Sequence, residues 1–148
     1  MNTPVSVPPR RAALRAAAGA LAVAALVTAG CAAFQPETPE EIVTRRAQER
    51  WQALIKGDFD KAYSYTQPGY RAVVSPENYA KTISAGRGMW KEVQIFKTEC
   101  EADRCTVNLQ LTSKNVVPRF ARAIPELKGF LNETWIKDQG QWWFYQAI

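Results

Sequence analysis

Arg50-Trp51-Gln52-Ala53-Leu54-Ile55-Lys56-Gly57-Asp58-Phe59-Asp60-Lys61-Ala62-Tyr63 decides how the chain folds. It ends one helix and starts another within two residues, because Gly57 terminates the first and Asp58 caps the second. Upstream, Val43, Ala47, Trp51, Leu54 and Ile55 recur at helical spacing along one face, with Arg45, Arg46, Glu49 and Arg50 largely on the other. Thr38-Pro39-Glu40-Glu41 supplies the start: a capping threonine, a proline at the first helical position and a glutamate that completes a capping box. Downstream, the second, shorter helix stops at Pro68-Gly69, and Ser75-Pro76-Glu77 opens a third that runs through Tyr79 and Ile83 to Gly86 and Gly88.

From Met89 the period changes from helical to two. Trp90 to Cys100 and Cys105 to Thr112 read as a hairpin, with Val107, Leu109 and Leu111 on one face and Thr106, Asn108 and Gln110 on the other. Residues 113–128 form a long connection, and Phe130 to Lys137 with Gln141 to Ile148 make a second hairpin turned by Asp138-Gln139-Gly140. Three helices followed by a four-stranded antiparallel meander give an α+β domain, its N-terminal helices packed on one face of the sheet.

The chain has 148 residues, a formal net charge of +5, three cysteines and no histidine. Without imidazole no Ser–His or Cys–His nucleophile pair and no His-ligated metal can be built, so no cofactor and no metal site are expected. Arg10, Arg11 and Arg15 precede an Ala-rich apolar stretch, Ala16 to Ala29, whose 14 residues fall short of the ~20 that span a bilayer. It reads as a secretory signal over residues 1–30. Thr28-Ala29-Gly30-Cys31 resembles the lipobox of bacterial lipoproteins, with Thr28 where leucine is favoured, and implies a diacylated Cys31 as the first mature residue. Arg10-Arg11-Ala12-Ala13-Leu14-Arg15 also resembles a twin-arginine export signal but lacks the phenylalanine at Ala13, which leaves general secretion as the reading. Removing three arginines and no acid from 19 and 14 leaves 16 basic and 14 acidic residues, a net of +2. A nucleic-acid partner loses its support.

With Cys31 assigned to lipid, Cys100 and Cys105 flank a polar hairpin loop in an oxidising compartment, where facing strand residues come close enough for a disulfide. The spacing is not that of a C-x-x-C redox pair. Residues 32–37 form a short tether, and residues 38–148 a single domain. Seven steps from Cys31 to Thr38 span at most ~25 Å, which holds the domain close to its membrane.

The Arg50–Tyr63 stretch, together with Glu133-Thr134-Trp135 and Gly140-Gln141-Trp142-Trp143-Phe144, resembles the nuclear-transport-factor-2-like (NTF2-like) and cystatin-like cone folds. The resemblance covers most of residues 38–148 and implies a curved sheet wrapped around the long helix, often with a pocket at the wide end. That superfamily hosts isomerases, dehydratases, small-molecule binders and pure interaction modules, so the fold does not select among them. Its proton-shifting members use an inward Asp or Glu beside a Tyr or second acid. Glu99 and Glu133 are the carboxylates that fit such a place, with Tyr63, Tyr65 or Tyr79 to supply a hydroxyl, and the alternative is exposed or salt-bridged acids with tyrosines in the core.

Trp135, Trp142, Trp143, Phe144 and Tyr145 either line a pocket or pack alternately on Trp51 and Leu54. The 113–128 connection combines Lys114, Arg119, Arg122 and Lys128 with Val116, Val117, Phe120, Ile124 and Leu127. It either folds its apolar residues back over the cone mouth or meets anionic headgroups or an acidic partner. Tyr65, Tyr79, Trp135, Arg119, Phe120 and Arg122 are therefore the candidate ligand or partner contacts. The expectation is a non-enzymatic lipoprotein of the cell envelope, in the periplasmic leaflet of the outer membrane since Ala32 replaces the Asp of a retention signal. It would sit on the membrane through its acyl chains and bind an envelope protein or small hydrophobic ligand. A proton-transfer isomerase or dehydratase, and a structural or assembly accessory, are the alternatives.

Overall fold

Helix α1 (Pro39–Lys56) begins where its capping chemistry predicts. In this computed structural model, which describes residues 36–120 and 122–148, the Glu41 amide donates to Thr38 Oγ1 at 3.2 Å. The Thr38 amide donates in turn to Glu41 Oε2 at 2.8 Å, completing a reciprocal capping box. Gly57 closes the helix at φ 77°, a conformation that a Cβ would strain. Asp58 Oδ1 then accepts from the Lys61 amide at 3.1 Å and opens α2 (Phe59–Ser64). Pro68 is not the stop that the sequence spacing suggests: it occupies the first turn of a short helix α3 (Pro68–Arg71), where a missing N–H costs nothing. Helix α4 (Pro76–Ile83) comes next, capped by Ser75, and runs into a 3-10 turn at Ser84–Gly86. Cys31 and residues 1–30, read above as an export signal, lie outside the described residues.

Strands β1 (Trp90–Glu101), β2 (Arg104–Lys114), β3 (Glu126–Asp138) and β4 (Gln141–Phe144) form one antiparallel sheet in chain order. The architecture is α+β. Register places Ile95, Leu109 and Leu131 in one row and Thr98, Val107 and Glu133 in the next, all on the face that α1 covers. Val43, Ala47, Trp51 and Leu54 of α1 pack there against Val107, Leu109, Trp135 and Trp142. Thr44 and Thr98 share a hydroxyl hydrogen bond at 2.6 Å, so the start of α1 lies beside the end of β1.

Three boundaries differ from the sequence reading. Glu101 pairs with Arg104, so the β1–β2 turn has two residues rather than four, and Ala102 takes φ 48° to make it. Cys100 and Cys105 are directly opposite and disulfide-bonded, with a Cα separation of 4.0 Å. Strand β3 starts at Glu126, four residues earlier than expected, which shortens the long connection to residues 115–125. Strand β4 stops at Phe144 and not at Ile148, because the backbone beyond it turns to the α2–α3 connection. There the Gln146 amide donates to Gln67 Oε1 at 2.7 Å and the Gln67 amide donates to the Phe144 carbonyl at 3.1 Å.

Gly86 is a packing requirement. It is buried against the Trp90 indole, which meets Trp51 edge-on at 5.7 Å, and a Cβ built on Gly86 comes too close to the Trp90 ring, nearest its Cζ2. Gly86→Ala is expected to cost about 1–3 kcal/mol by overpacking, read as a lower denaturant midpoint at unchanged slope, while Gly88→Asn, in open space, is expected to cost less.

Candidate functional site

The face between α1 and β3 is where an acid would have to lie for proton-transfer chemistry, and Glu133 lies there. Its position opposite Val107 turns it inward, and the residue is only 7% exposed. Arg50 Nη1 donates to Oε1 at 2.8 Å, Trp51 Nε1 donates to the same oxygen at 2.8 Å, and Trp135 Nε1 reaches Oε2 at 3.4 Å. Arg50 is itself 4% exposed, and its guanidinium sits 3.6 Å from the Phe144 ring centroid. The sequence spacing places Arg50 on the polar side of α1; it is instead the inward cation that neutralises Glu133.

A base must offer a substrate a free lone pair; here Oε1 carries two N–H donors and Oε2 only the longer contact from Trp135. The arrangement ties α1 to β3 through a charge pair whose partners are nearly inaccessible. The depressions flanking α1 are not lined by Glu133. One of about 310 Å³ is bounded by Pro39, Ile42, Arg45, Lys137 and Trp142, and another of about 290 Å³ by Gln52, Ile55, Lys91 and Val93.

Tyr79 completes the cluster from α4. It stacks on Tyr63 and Tyr70 with centroids 5.4 and 6.3 Å away, and burial pushes its pKa up against the opposing effect of Arg50. Its hydroxyl and Arg50 Nε are buried without a hydrogen-bond partner among the described residues. The hydroxyl meets Arg50 without a hydrogen bond of good geometry, so Tyr79→Phe is expected to change stability by no more than about 1 kcal/mol in equilibrium unfolding. A loss of more than about 1 kcal/mol would show that the hydroxyl has a partner.

The other sequence candidates are scattered. Glu99 pairs with Thr106 on the outer face, 57% exposed, with Lys97 Nζ at 2.6 Å; it is not an interior acid. Tyr63 donates its hydroxyl to the Val74 carbonyl at 2.6 Å. Tyr65 donates to Glu49 Oε2 at 2.8 Å while Arg46 stacks on its ring at 5.0 Å. Burial and then the Glu49 hydrogen bond raise the Tyr65 pKa to about 12. Because the folded pKa lies above the usual 10.0, this contribution to stability is complete below pH 10 and is lost as pH rises toward 12. Tyr65→Phe is therefore expected to flatten the stability profile over that window. Trp135 is wholly buried against Phe144 and belongs to the core, while Trp142, though nearly buried, also bounds the depression of about 310 Å³ beside α1. Trp143 instead sits under Arg71, 4.6 Å from its ring.

Arg119, Phe120 and Arg122 are exposed, in the closed loop between β2 and β3. That loop is pinned at its neck, where the Asn115 amide donates to the Pro125 carbonyl at 3.0 Å and Asn115 Nδ2 to the Ile124 carbonyl at 2.8 Å. Its apolar residues do not fold back: Val116, Val117, Phe120 and Ile124 stand in solvent, and the exposure continues along β3 through Leu127, Phe130 and Leu131. Phe130 is 73% exposed and meets the exposed Phe96 at 6.1 Å across the outer face. Phe96 reaches that face because the register shifts between Ile95 and Lys97. The sequence signalled the apolar loop but not this extension along the strand.

No protein-family model matches the chain. No curated protein matches it either. Solved structures do. A SEC-C motif protein from Rhodopseudomonas palustris is 18% identical, covering 68% of this chain and 73% of its own, at a TM-score of 0.54. A Campylobacter jejuni protein described as a candidate NTF2-like transpeptidase is 13% identical over 71% of this chain and 98% of its own, at 0.52. A SEC-C motif protein from Psychrobacter arcticus is 10% identical over 76% and 63%, at 0.55. At these identities the likeness is one of fold: helices followed by a curved four-stranded antiparallel sheet of the NTF2-like kind.

Proposed function

We propose that the chain is a non-enzymatic binding module, held at an envelope membrane by acyl groups on Cys31, that meets its partner through the outside of the cone. The observation that carries this reading is a contrast between two faces. The interior acid is held by an ion pair with Arg50 and by the Trp51 and Trp135 indoles, while a run of apolar residues from Val116 to Leu131 is left in solvent beside Arg119, Arg122 and Lys128. Patches of this kind mark interaction surfaces. The one observation favouring an enzyme is that Glu133 and Tyr79 are buried in the same cluster. A proton-transfer role would require Glu133 to leave Arg50.

The anchor rests on the Thr28-Ala29-Gly30-Cys31 run, and no helix among the described residues is long and apolar enough to cross a membrane. Ala32 after Cys31 supports the outer membrane as the address. Labelling with an alkynyl fatty acid in a Gram-negative host tests the anchor. Label on the wild type, absent from Cys31→Ala together with release of the protein from the membrane fraction, is expected. An unlabelled wild type, or label that survives the substitution, contradicts it.

A further inference from the structure

We infer that the outer edge of β3, from Lys128 to Asn132, is a docking site for an extended acidic and apolar polypeptide segment that joins the sheet as a fifth strand; the inference rests on the binding-module reading. Strand β4 covers only Trp135 to Asp138 of β3, and one further bond, from the Tyr145 amide to the Thr134 carbonyl at 2.8 Å, ends the pairing. Beyond Thr134 no backbone hydrogen bond among the described residues reaches the outer side of β3. Because the Thr134 carbonyl points to the β4 side, the two-residue alternation of an antiparallel ladder turns the N–H and C=O groups of Asn132, Phe130 and Lys128 the same way. Three donor–acceptor pairs thus recur every ~6.8 Å along an open edge, a spacing that another extended backbone matches and a lipid headgroup does not.

Exposed edges are ordinarily blunted by a bulge, a proline or a short strand. The other edge strand, β1, carries two register shifts; β3 keeps unbroken register with β2 from Glu126 to Ile136 and has 13 residues. Its side chains invite company as well. Phe130 is exposed on the outer face, Leu131 on the inner, and a Cβ built on Gly129 meets nothing within 4 Å, which leaves room for a partner's side chain beside Leu131 on the inner face.

Charge selects the occupant. Lys128 lies on the edge itself, Arg119 and Arg122 are exposed in the loop that leads into β3, and Glu126 is occupied by an ion pair with Lys91. An acidic segment complements this rim, whereas a second copy would bring like charges together.

The test uses the full chain in detergent micelles and a blocked eight-residue peptide of alternating glutamate and valine. Amide hydrogen exchange is read with and without peptide. Slowing at Lys128, Phe130 and Asn132, loss of affinity by about tenfold or more when alternate peptide nitrogens are methylated, and a similar loss in Lys128→Glu support the inference. Equal binding of the methylated peptide, or slowing confined to residues 115–125, overturns the added strand while leaving the outer surface as the binding face. Slowing at the three amides by phosphatidylglycerol vesicles alone, or by raising protein concentration alone, overturns the acidic segment in favour of a membrane or a second copy. Peptide that perturbs only the Trp51 and Trp135 indoles overturns the added strand and the outer-surface reading together.

Discussion

Arg50→Ala is expected to lower stability by about 3–5 kcal/mol, because it leaves the Glu133 carboxylate buried with no countercharge. In a domain of this size the change corresponds to a fall in Tm of roughly 15 °C. The cost comes from the acid left behind rather than from the worth of the pair. The charge pair bridges α1 and β3 at 2.8 Å, with both partners nearly inaccessible to water, so neither can be hydrated once the other is removed. The double replacement Arg50→Met with Glu133→Leu removes both charges and is expected to cost less than Arg50→Ala alone, leaving a loss of about 1–3 kcal/mol for the Trp51 indole N–H, which then has no acceptor. Urea denaturation of the three proteins checks it. An Arg50→Ala change costing under about 1 kcal/mol would mean that water reaches Glu133, and therefore that the interior is open.

Trp135→Ala is expected to cost about 3–5 kcal/mol. Trp135 is among the largest fully buried side chains, packs on Phe144 with ring centroids 6.0 Å apart and directs its indole N–H at Glu133. Deleting it removes apolar contacts from a close-packed face and withdraws a donor from the carboxylate. The resulting cavity is bounded largely by apolar groups, so added indole is expected to restore part of the lost Tm, as ligand binding to the folded state alone requires. Trp135→Phe should recover most of the packing. If Trp135→Ala unfolds at the wild-type midpoint, Trp135 faces a pre-existing space and the sequence reading of a ligand-lined pocket returns.

The elements were legible because their signals are local. A capping box at Thr38 and Glu41, a glycine at 57 and period-two alternation after Met89 each depend on neighbours in sequence. So does the Cys100–Cys105 bridge, once a hairpin is placed between the two residues. Arg50 was not legible, since helical spacing puts it among Arg45, Arg46 and Glu49, and its burial depends on a partner 83 residues away. Glu133 and Glu99 were alike in sequence; the β1–β2–β3 register, set by a two-residue turn and the shift at Phe96, sends one inward and the other out. The open edge of β3 was hidden for the same reason. The aromatic run reads as a strand to Ile148, and it is the distant Tyr65–Gln67 segment, bonded to Phe144 and Gln146, that pulls the chain off the ladder.

The division between a closed interior and an open outer edge is tested most directly by hydrogen exchange on the chain alone. The indole N–H groups of Trp51 and Trp135 are expected to exchange only through unfolding of the whole domain, while the backbone amides of Lys128, Phe130 and Asn132 exchange at nearly the rate of an unstructured peptide. Rapid exchange at the two indoles with protection at the three amides would contradict that division, placing the accessible site inside the cone.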